Sequence, residues 1–600
     1  MKYLVTLLIL INSVLVSQTI KIKGQVTDAE TSNPLANASI IVENKNTGTT
    51  SDGEGKFVLT ENVSGNDVIS ISFIGYNSKR LKASELASIS IIRLEPKIIS
   101  SQTVLVNGSI GKEGITPLAF SKISRKKVAE TYIAQDIPEF LSSLPSTTFY
   151  SEAGNGIGYN YLSIRGFDQR RISVAVNGIP QNDPEDHNVY WLDFPDILSS
   201  TELIQVQRGA GSGIIGYPSV GGSINIITSS FSDKPRFDLS SSIGSYNTRK
   251  YSASFSSGLI NNKYSIYSKL SKVLSSGYRN SAWSDLNSYH ISAVRYDDNI
   301  TTQINLYGGP IADGLSYNGL PKFTIKDREL RKANYSDWGV TNNQYDYAVL
   351  RRPEEIENFS QPHYELLNEW NISKNLSFNS ALFMVLGSGF FDYDASWADT
   401  SYFRLVNSNG FNAVRNPENA LIRAQVENKQ FGWIPRLSIR HDNGELIVGS
   451  ELRFHRSLHW GSINYADNLP SGVDKNFRYY EYNGSKDIVN IYAHENYSFS
   501  SLFNILAEIQ LSYNKYRIYN EKYVGNDFSI KNIFLNPRVG LNYKLTPSQN
   551  LFISYARVSR EPRLKNYYDA AESSGGEEPQ FSKNTDGGFD YSNPLVHPEV

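Results

Sequence analysis

Phe503-Asn504-Ile505-Leu506-Ala507-Glu508-Ile509-Gln510-Leu511-Ser512-Tyr513-Asn514 alternates almost residue by residue. In an extended chain Phe503, Ile505, Ala507, Ile509, Leu511 and Tyr513 share one face, while Asn504, Glu508, Gln510, Ser512 and Asn514 share the other. One apolar and one polar face per strand is what a membrane barrel with a wet lumen demands. A soluble sandwich has the same period, so alternation needs support from elsewhere. It recurs from about Pro235 onward: Phe237, Leu239, Ser241 and Ile243 against Asp238, Ser240, Ser242 and Gly244; Ile300, Thr302, Ile304 and Leu306 against Thr301, Gln303, Asn305 and Tyr307. The aromatic load (38 Tyr, 28 Phe, 7 Trp) and long polar stretches such as Pro310 to Gln361 tip the reading toward a barrel with extracellular loops.

The 600 residues carry 58 Lys and Arg against 60 Asp and Glu, a net charge of −2. That balance argues against a generic nucleic-acid binder, which needs a basic excess. The absence of cysteine removes disulfide frameworks, thiolate zinc sites and Cys nucleophiles. A mean hydropathy of −0.37 does not fit a helical membrane protein. Lys2 followed by an apolar run from Tyr3 to Val16 and Ser17-Gln18 reads as a secretory signal peptide over residues 1–17.

Residues 18–96 read as short strands between turns, a small β-sandwich. Gly24-x-Val26-x-Asp28, Pro34-Leu35-x-x-Ala38, Gly48-Thr49, Asp52-x-x-Gly55-x-Phe57 and Gly75-Tyr76 resemble the carboxypeptidase regulatory-like domain. The resemblance implies a binding or spacer module; no His-x-x-Glu pair exists to hold a catalytic zinc. Residues 97–117 form a polar, glycine-bearing linker. Its one β-prone patch, Thr103-Val104-Leu105-Val106, suits either strand addition to another protein's sheet edge or an ordinary sandwich edge. Residues 118–230 read as mixed α/β. A helix begins at a capping Asp136, strands follow at 161–165, 172–176, 203–207 and 223–227, and Asn177-Gly178 makes a tight turn.

Few motifs survive inspection. Gly211-Ser212-Gly213-Ile214-Ile215-Gly216 has the dinucleotide spacing, but Pro218, Gly221 and Gly222 follow where a helix should open. His455 and His459 lie on an alternating strand, where four residues span about 13 Å, too far for one metal. With no phosphate loop, nucleophile elbow or carboxylate–His cluster, no enzyme, cofactor or metal site is expected. The acidic, aromatic stretch Gln181-Asn182-Asp183-Pro184-Glu185-Asp186-His187-Asn188-Val189-Tyr190-Trp191 reads as either a solvated acidic loop or a ligand-facing one.

Residues 118–228 resemble the plug domain of TonB-dependent outer-membrane receptors. The matching stretches are Asp136-Ile137-Pro138, Leu162-Ser163-Ile164-Arg165-Gly166-Phe167, Val174-Ala175-Val176-Asn177-Gly178, Ile204-Gln205-Val206-Gln207-Arg208-Gly209 and Gly221-Gly222-Ser223-Ile224-Asn225. Asn536-Pro537-Arg538-Val539-Gly540-Leu541 and Leu551 to Arg557 resemble the family's barrel, and the appended first domain resembles its Bacteroidetes version. The fold so implied is mainly β: a small N-terminal β-sandwich, a mixed α/β plug, and an antiparallel transmembrane β-barrel over 231–600, 22-stranded in the complete family fold. About 365 residues follow the plug, enough for a dozen to fifteen strands. The expectation is therefore a barrel lacking its C-terminal portion.

The resemblance further implies the cell outer membrane, with lipid around the barrel, and energised import of a scarce solute. Thr103, Val104, Leu105 and Val106 match the box pulled by the TonB-ExbB-ExbD complex. Gln181, Asn182, Asp183, Asp186, His187, Tyr190 and Trp191 match a ligand-binding plug apex, and Arg165 and Arg208 match plug–barrel locking positions. An iron-siderophore or other iron chelate is the expected ligand. Signalling, or a non-iron solute (haem, cobalamin, oligosaccharide), is the alternative. No His lies between Pro562 and Asn593, where haem receptors of the family tend to carry one.

Overall fold

The computed structural model describes residues 21–29, 32–43, 45, 47–60, 63–73, 76, 78–94, 111, 116–210, 214, 216–228, 231–232, 234–334, 339–341, 344–346, 354–546 and 549–600. The signal peptide and the Thr103–Val106 patch lie outside the described residues. The chain divides into two compact units, 1–100 and 101–600.

In the first unit, β1 (Ile22–Asp28), β2 (Ser39–Val42), β3 (Thr47–Thr50), β4 (Lys56–Leu59), β5 (Val68–Ser72), β6 (Lys79–Lys82) and β7 (Ile91–Leu94) form two sheets, ordered β4-β1-β7 and β3-β2-β5-β6. Alternation sends Val26, Ile40, Val42, Phe57, Leu59, Ile69, Ile71, Ile92 and Leu94 into one shared core. Ile40 pairs with Ile71 across β2 and β5, and both are fully buried. Ile40→Val should cost about 0.5–1.5 kcal/mol, read as a lower denaturant midpoint for this unit; an unchanged midpoint would show that Ile40 does not help hold the two sheets together.

The second unit begins with the plug. Here β8 (Ala119–Ser124), β12 (Ile172–Val176), β13 (Ile179–Pro180), β14 (Thr201–Arg208) and β15 (Gly222–Thr228) form a sheet ordered β13-β12-β15-β14-β8. A smaller sheet joins β9 (Thr147–Ser151), β10 (Asn160–Ile164) and β11 (Phe167–Asp168). Asn177 and Gly178 both adopt positive φ, 53° and 77°, as a two-residue hairpin between β12 and β13 requires. The expected helix is shorter than its pattern, Ile137–Leu141, and Asp136 does not cap it through its side chain. That carboxylate instead accepts from Asn160 Nδ2 at 2.5 Å, tying helix to strand.

Around the plug stand β16 (Pro235–Gly244), β17 (Thr248–Ser257), β18 (Tyr264–Ser275), β19 (Ser284–Tyr296), β20 (Ile300–Gly308), β21 (Pro310–Gly314), β22 (Gly339–Thr341), β23 (Gln344–Asp346) and β24 (Ile356–Ser360). They continue as β25 (His363–Ser373), β26 (Leu376–Asp394), β27 (Glu418–His441), β28 (Gly444–Asp467), β29 (Arg478–Ser498), β30 (Phe503–Tyr519), β31 (Phe528–Thr546) and β32 (Gln549–Ala556). β22 and β23 pair only with each other; the rest form a 15-stranded antiparallel sheet. It runs from β16 to β32, whose outer edges have no second partner among the described residues. The stretch 310–361, read above as loop, contains β21 and β24, which pair with β19, β26 and one another. Five residues are too few for the ten-residue alternation that marks the other strands.

Short turns (374–375, 442–443, 499–502) alternate with longer connections (395–417, 468–477, 520–527), the asymmetry of outer-membrane barrels. The two faces segregate as the quoted strand predicts. Leu239 is 73% and Ile553 71% exposed outward, whereas Gln510 and Asn536 are 0% exposed inward. No helix among the described residues is long and apolar enough to cross a membrane; strands cross instead.

Candidate functional site

The segment after β13 braces itself before it meets the barrel. Asp183 Oδ1 accepts from the backbone N–H groups of Glu185 (2.8 Å) and Asp186 (2.9 Å). Asp186 accepts from Asn188 N at 2.7 Å and from the Tyr190 hydroxyl at 2.6 Å. The expected apex residues then part company. Asn182 is buried, accepting from Val174 N and donating to the carbonyls of Ile172 and His187. Trp191 donates to Gln169 Oε1 at 2.8 Å from within the plug core. His187 is buried against Tyr516 Oη at 3.0 Å; burial, with Lys486 adding to it, pushes its imidazole down to about 3. Gln181, Asn182, Asp183 and Tyr190 line a polar cavity, with Pro184, Asp193 and Phe194 of the plug and Gln361, His363, Gln430 and His455 of the barrel.

Glu185 is the residue that sequence reasoning leaves unweighted. Its Oε1 lies 3.3 Å from His455 Nε2 and accepts from Ser457 Oγ at 2.5 Å, and its Oε2 lies 2.9 Å from His459 Nε2. Residues 455, 457 and 459 share one face of β28, so the spacing that forbids a shared metal suits a carboxylate with two oxygens held between two rings. Burial pushes the Glu185 carboxyl up, but His459 and His455 outweigh it and hold it well below the usual range. Gly484 on β29 makes room: a Cβ there would sit 2.2 Å from Glu185 Oε1. Beside this clamp, the Lys486 ammonium donates to Pro184 O and Tyr516 Oη, both at 2.9 Å, and pairs with Glu561.

A second attachment lies at Asp196, in the left-handed region at φ 53°. Its two oxygens face Lys250 Nζ of β17 (2.5 Å) and Lys269 Nζ of β18 (3.1 Å), all three side chains at most 5% exposed. Arg436 of β27 donates to the carbonyls of Gly178 and Ile214, and Asn177 donates to Glu365 of β25 at 2.8 Å. Of the expected locking pair, Arg165 is exposed and Arg208 donates to Ser121 Oγ within the plug. Both line a crevice with Glu508 and Arg538 of the barrel, where Glu508 pairs with Arg538 and His494.

Asp196 gives a signed pH dependence. Burial raises its carboxyl, and Lys269 and Lys250 more than reverse that, leaving it below the ordinary value. A depressed carboxyl contributes stability that is complete above the unfolded value, about 3.9, and is lost as pH falls through the folded one. Plug release in urea should therefore become easier as pH drops below about 4, and less so in Asp196→Asn. Equal pH profiles for the two proteins would count against the assignment.

Among the described residues no group of three or more His, Asp or Glu side chains is arranged to hold a metal. What the interface can do is hold a folded plug inside a polar lumen through ionic and hydrogen-bonded contacts, with the apex loop over a cavity. A mixed plug attached to the inner wall of a sheet that is greasy outside and wet inside is the architecture of a plugged outer-membrane receptor. Three family models agree: CarboxypepD_reg-like domain over residues 22–106, TonB-dependent Receptor Plug Domain over 114–223, and TonB dependent receptor-like, beta-barrel over 367–596. The chain belongs to the TonB-dependent receptor family and localises to the outer membrane. It is 26% identical over 168 residues to TonB-dependent receptor SusC of Bacteroides thetaiotaomicron, covering 27% of this chain and 16% of that one. The ferric yersiniabactin uptake receptor FyuA of Yersinia pestis shares the fold at TM-score 0.55 and 11% identity, over 73% of this chain and 64% of that one. The open form of the ferric-catecholate import receptor Fiu of E. coli K12 does so at TM-score 0.54 and 16% identity, over 75% and 71%.

Proposed function

We propose that the chain serves TonB-dependent active import of a scarce solute across the outer membrane, the solute being an iron-siderophore or other iron chelate. The observation that carries this reading is the plug apex: Gln181, Asp183 and Tyr190 face a lumenal cavity, on a loop held to the wall by the breakable contacts of Glu185. A solute settling on these groups competes with the same loop's contacts, which links binding to plug mobility. The iron class is favoured because FyuA and Fiu, which share this fold, are named for ferric uptake. A non-iron solute is the second reading, supported by the stretch related to SusC. The TonB-ExbB-ExbD complex is the proposed energy source, and no catalysis is assigned.

The test is growth under iron limitation of a strain deleted for the gene, supplied with single ferric chelates in turn. Failure on one chelate, restored by the gene, is the expected result. Normal uptake of every chelate by the deletion strain would refute the iron assignment.

A further inference from the structure

The clamp of Glu185 on β28 stands at the end of the wall that carries the long connections. β28 runs from the short turn 442–443 toward the long connection 468–477. On its outer face Arg456 pairs with Asp487 of β29 at 2.7 Å, and Lys429 of β27 is the cross-strand partner of Arg456. A charged outward side chain is costly within the hydrocarbon and cheap at its edge, so this row marks the upper rim of the apolar band. His459 lies past Arg456, beyond that rim. Its side chain is 22% exposed, against 3% for His455 and 13% for Glu185.

The two rings are held differently. His459 stacks on Tyr482 of β29, ring centroids 4.9 Å apart and planes 12° from parallel, which fixes it against the carboxylate. His455 turns Nε2 to Glu185, while its buried Nδ1 has no hydrogen-bond partner among the described residues. That ring borders the apex cavity, whose 30 Å³ has room for water. With Nε2 turned to a carboxylate, Nδ1 is the atom that gains and loses the proton. Two contacts of Glu185 are indifferent to pH: the Ser457 hydroxyl, and the Leu564 N–H that donates to its carbonyl at 2.9 Å. Burial lowers the His459 imidazole, and Glu185 more than reverses this, holding it above its ordinary value. The other charged groups nearby are Asp183 of the plug, Asp569 of the segment after β32, and Lys486 and Glu561, paired with each other. Asp186, pushed up to about 6 by burial and by Asp183, is ionised above that value. His187, pushed down to about 3, is neutral, and the phenols of Tyr482 and Tyr516 stay protonated near neutral pH.

We propose that Glu185, His455 and His459 form a proton-operated latch on the plug apex, closed in acidic medium and loosened as the medium turns alkaline. With both rings charged, each carboxylate oxygen faces a cation. When each ring has given up one proton to water, both still donate hydrogen bonds, but the ionised carboxylate keeps its part-buried seat without a counter-charge. A raised histidine contributes stability that is complete below its released value, about 6.5. That contribution is lost as pH rises through the docked value. The apex loop 181–191 is then held by contacts such as Ser457, Leu564 and Lys486. The device is independent of which solute the receptor takes, and its sign is opposite to that of Asp196.

The full chain, folded in detergent, is exposed to protease at one urea concentration from about pH 6.5 to about pH 8.5, and cleavage of residues 118–230 is timed. Dividing by the rate for the fully unfolded chain at each pH removes the protease's own profile. Cleavage is expected to quicken about fivefold across the range, the worth of one ion pair of this exposure. His455→Gln combined with His459→Gln keeps a hydrogen-bond donor at each position and cannot charge, so its rate should stay level. Glu185→Gln should be level too. Histidines outside the clamp are present in every variant, so the difference reports the clamp. Heat-modifiable migration on a gel verifies folding, and where one variant fails that check the other carries the test. A pH step in the variants equal to that of the unmodified chain would overturn the proposal. So would a level rate in the unmodified chain.

Discussion

Scrambling Thr103-Val104-Leu105-Val106, or the single change Val104→Pro, should reduce energised uptake to background while leaving solute binding at the cell surface intact. The four residues end the span matched by the regulatory-like domain, 22–106, and precede a polar segment carrying Gly108, Gly111 and Gly114. A short β-prone stretch of this kind is unstable by itself and gains its hydrogen bonds by joining another protein's sheet edge. Proline at Val104 removes a backbone donor and disfavours strand pairing on both sides. The apex cavity is built from Gln181, Asp183, Tyr190 and barrel residues, none of which the change touches. Energised uptake that persists in the scrambled chain would remove Thr103–Val106 as the coupling segment. Loss of surface binding together with uptake would assign these residues to structure instead.

Asp196→Asn should loosen the plug by about 3–5 kcal/mol, the cost of leaving buried charge without its counter-ion. Lys250 and Lys269 both point at Asp196 from the barrel. Lys250 keeps Ser199 Oγ at 2.8 Å and the Tyr132 ring at 4.2 Å, neither of which carries a compensating charge. Asparagine tolerates the left-handed backbone at this position, so the effect isolates charge from backbone strain. The readout is protease cleavage of residues 118–230 across a urea titration, with the midpoint moving to lower urea. Adding Lys269→Met to the variant should restore part of the loss, since one uncompensated cation is removed. A midpoint that does not move would show that the contact contributes little to docking.

Legibility differed sharply between strand faces and contacts. The alternation of Phe503 to Asn514 read correctly because pleat geometry is local: each side chain's face follows from its parity along the strand. The two-residue turn at Asn177-Gly178 read correctly because positive φ at two successive positions selects few residue types. Asp136 misled, because its residue type suits a helix cap while a strand twenty-four residues away offered the better partner. The same holds for the loop 181–191. Its acidic and aromatic composition marked it out, but which groups face the cavity and which are spent inside depends on residues 516, 455 and 459, hundreds of positions distant.

By itself, then, the order of residues determined the class of architecture, the strand faces and the place of the plug within the chain, all properties set by neighbours a few positions apart. Tertiary structure alone decided that Glu185 sits between two histidines and that Asp196 meets two lysines. Each of those contacts joins a plug loop to barrel strands far away in sequence, and it depends on how a whole sheet curves around its contents, which no short window of sequence encodes.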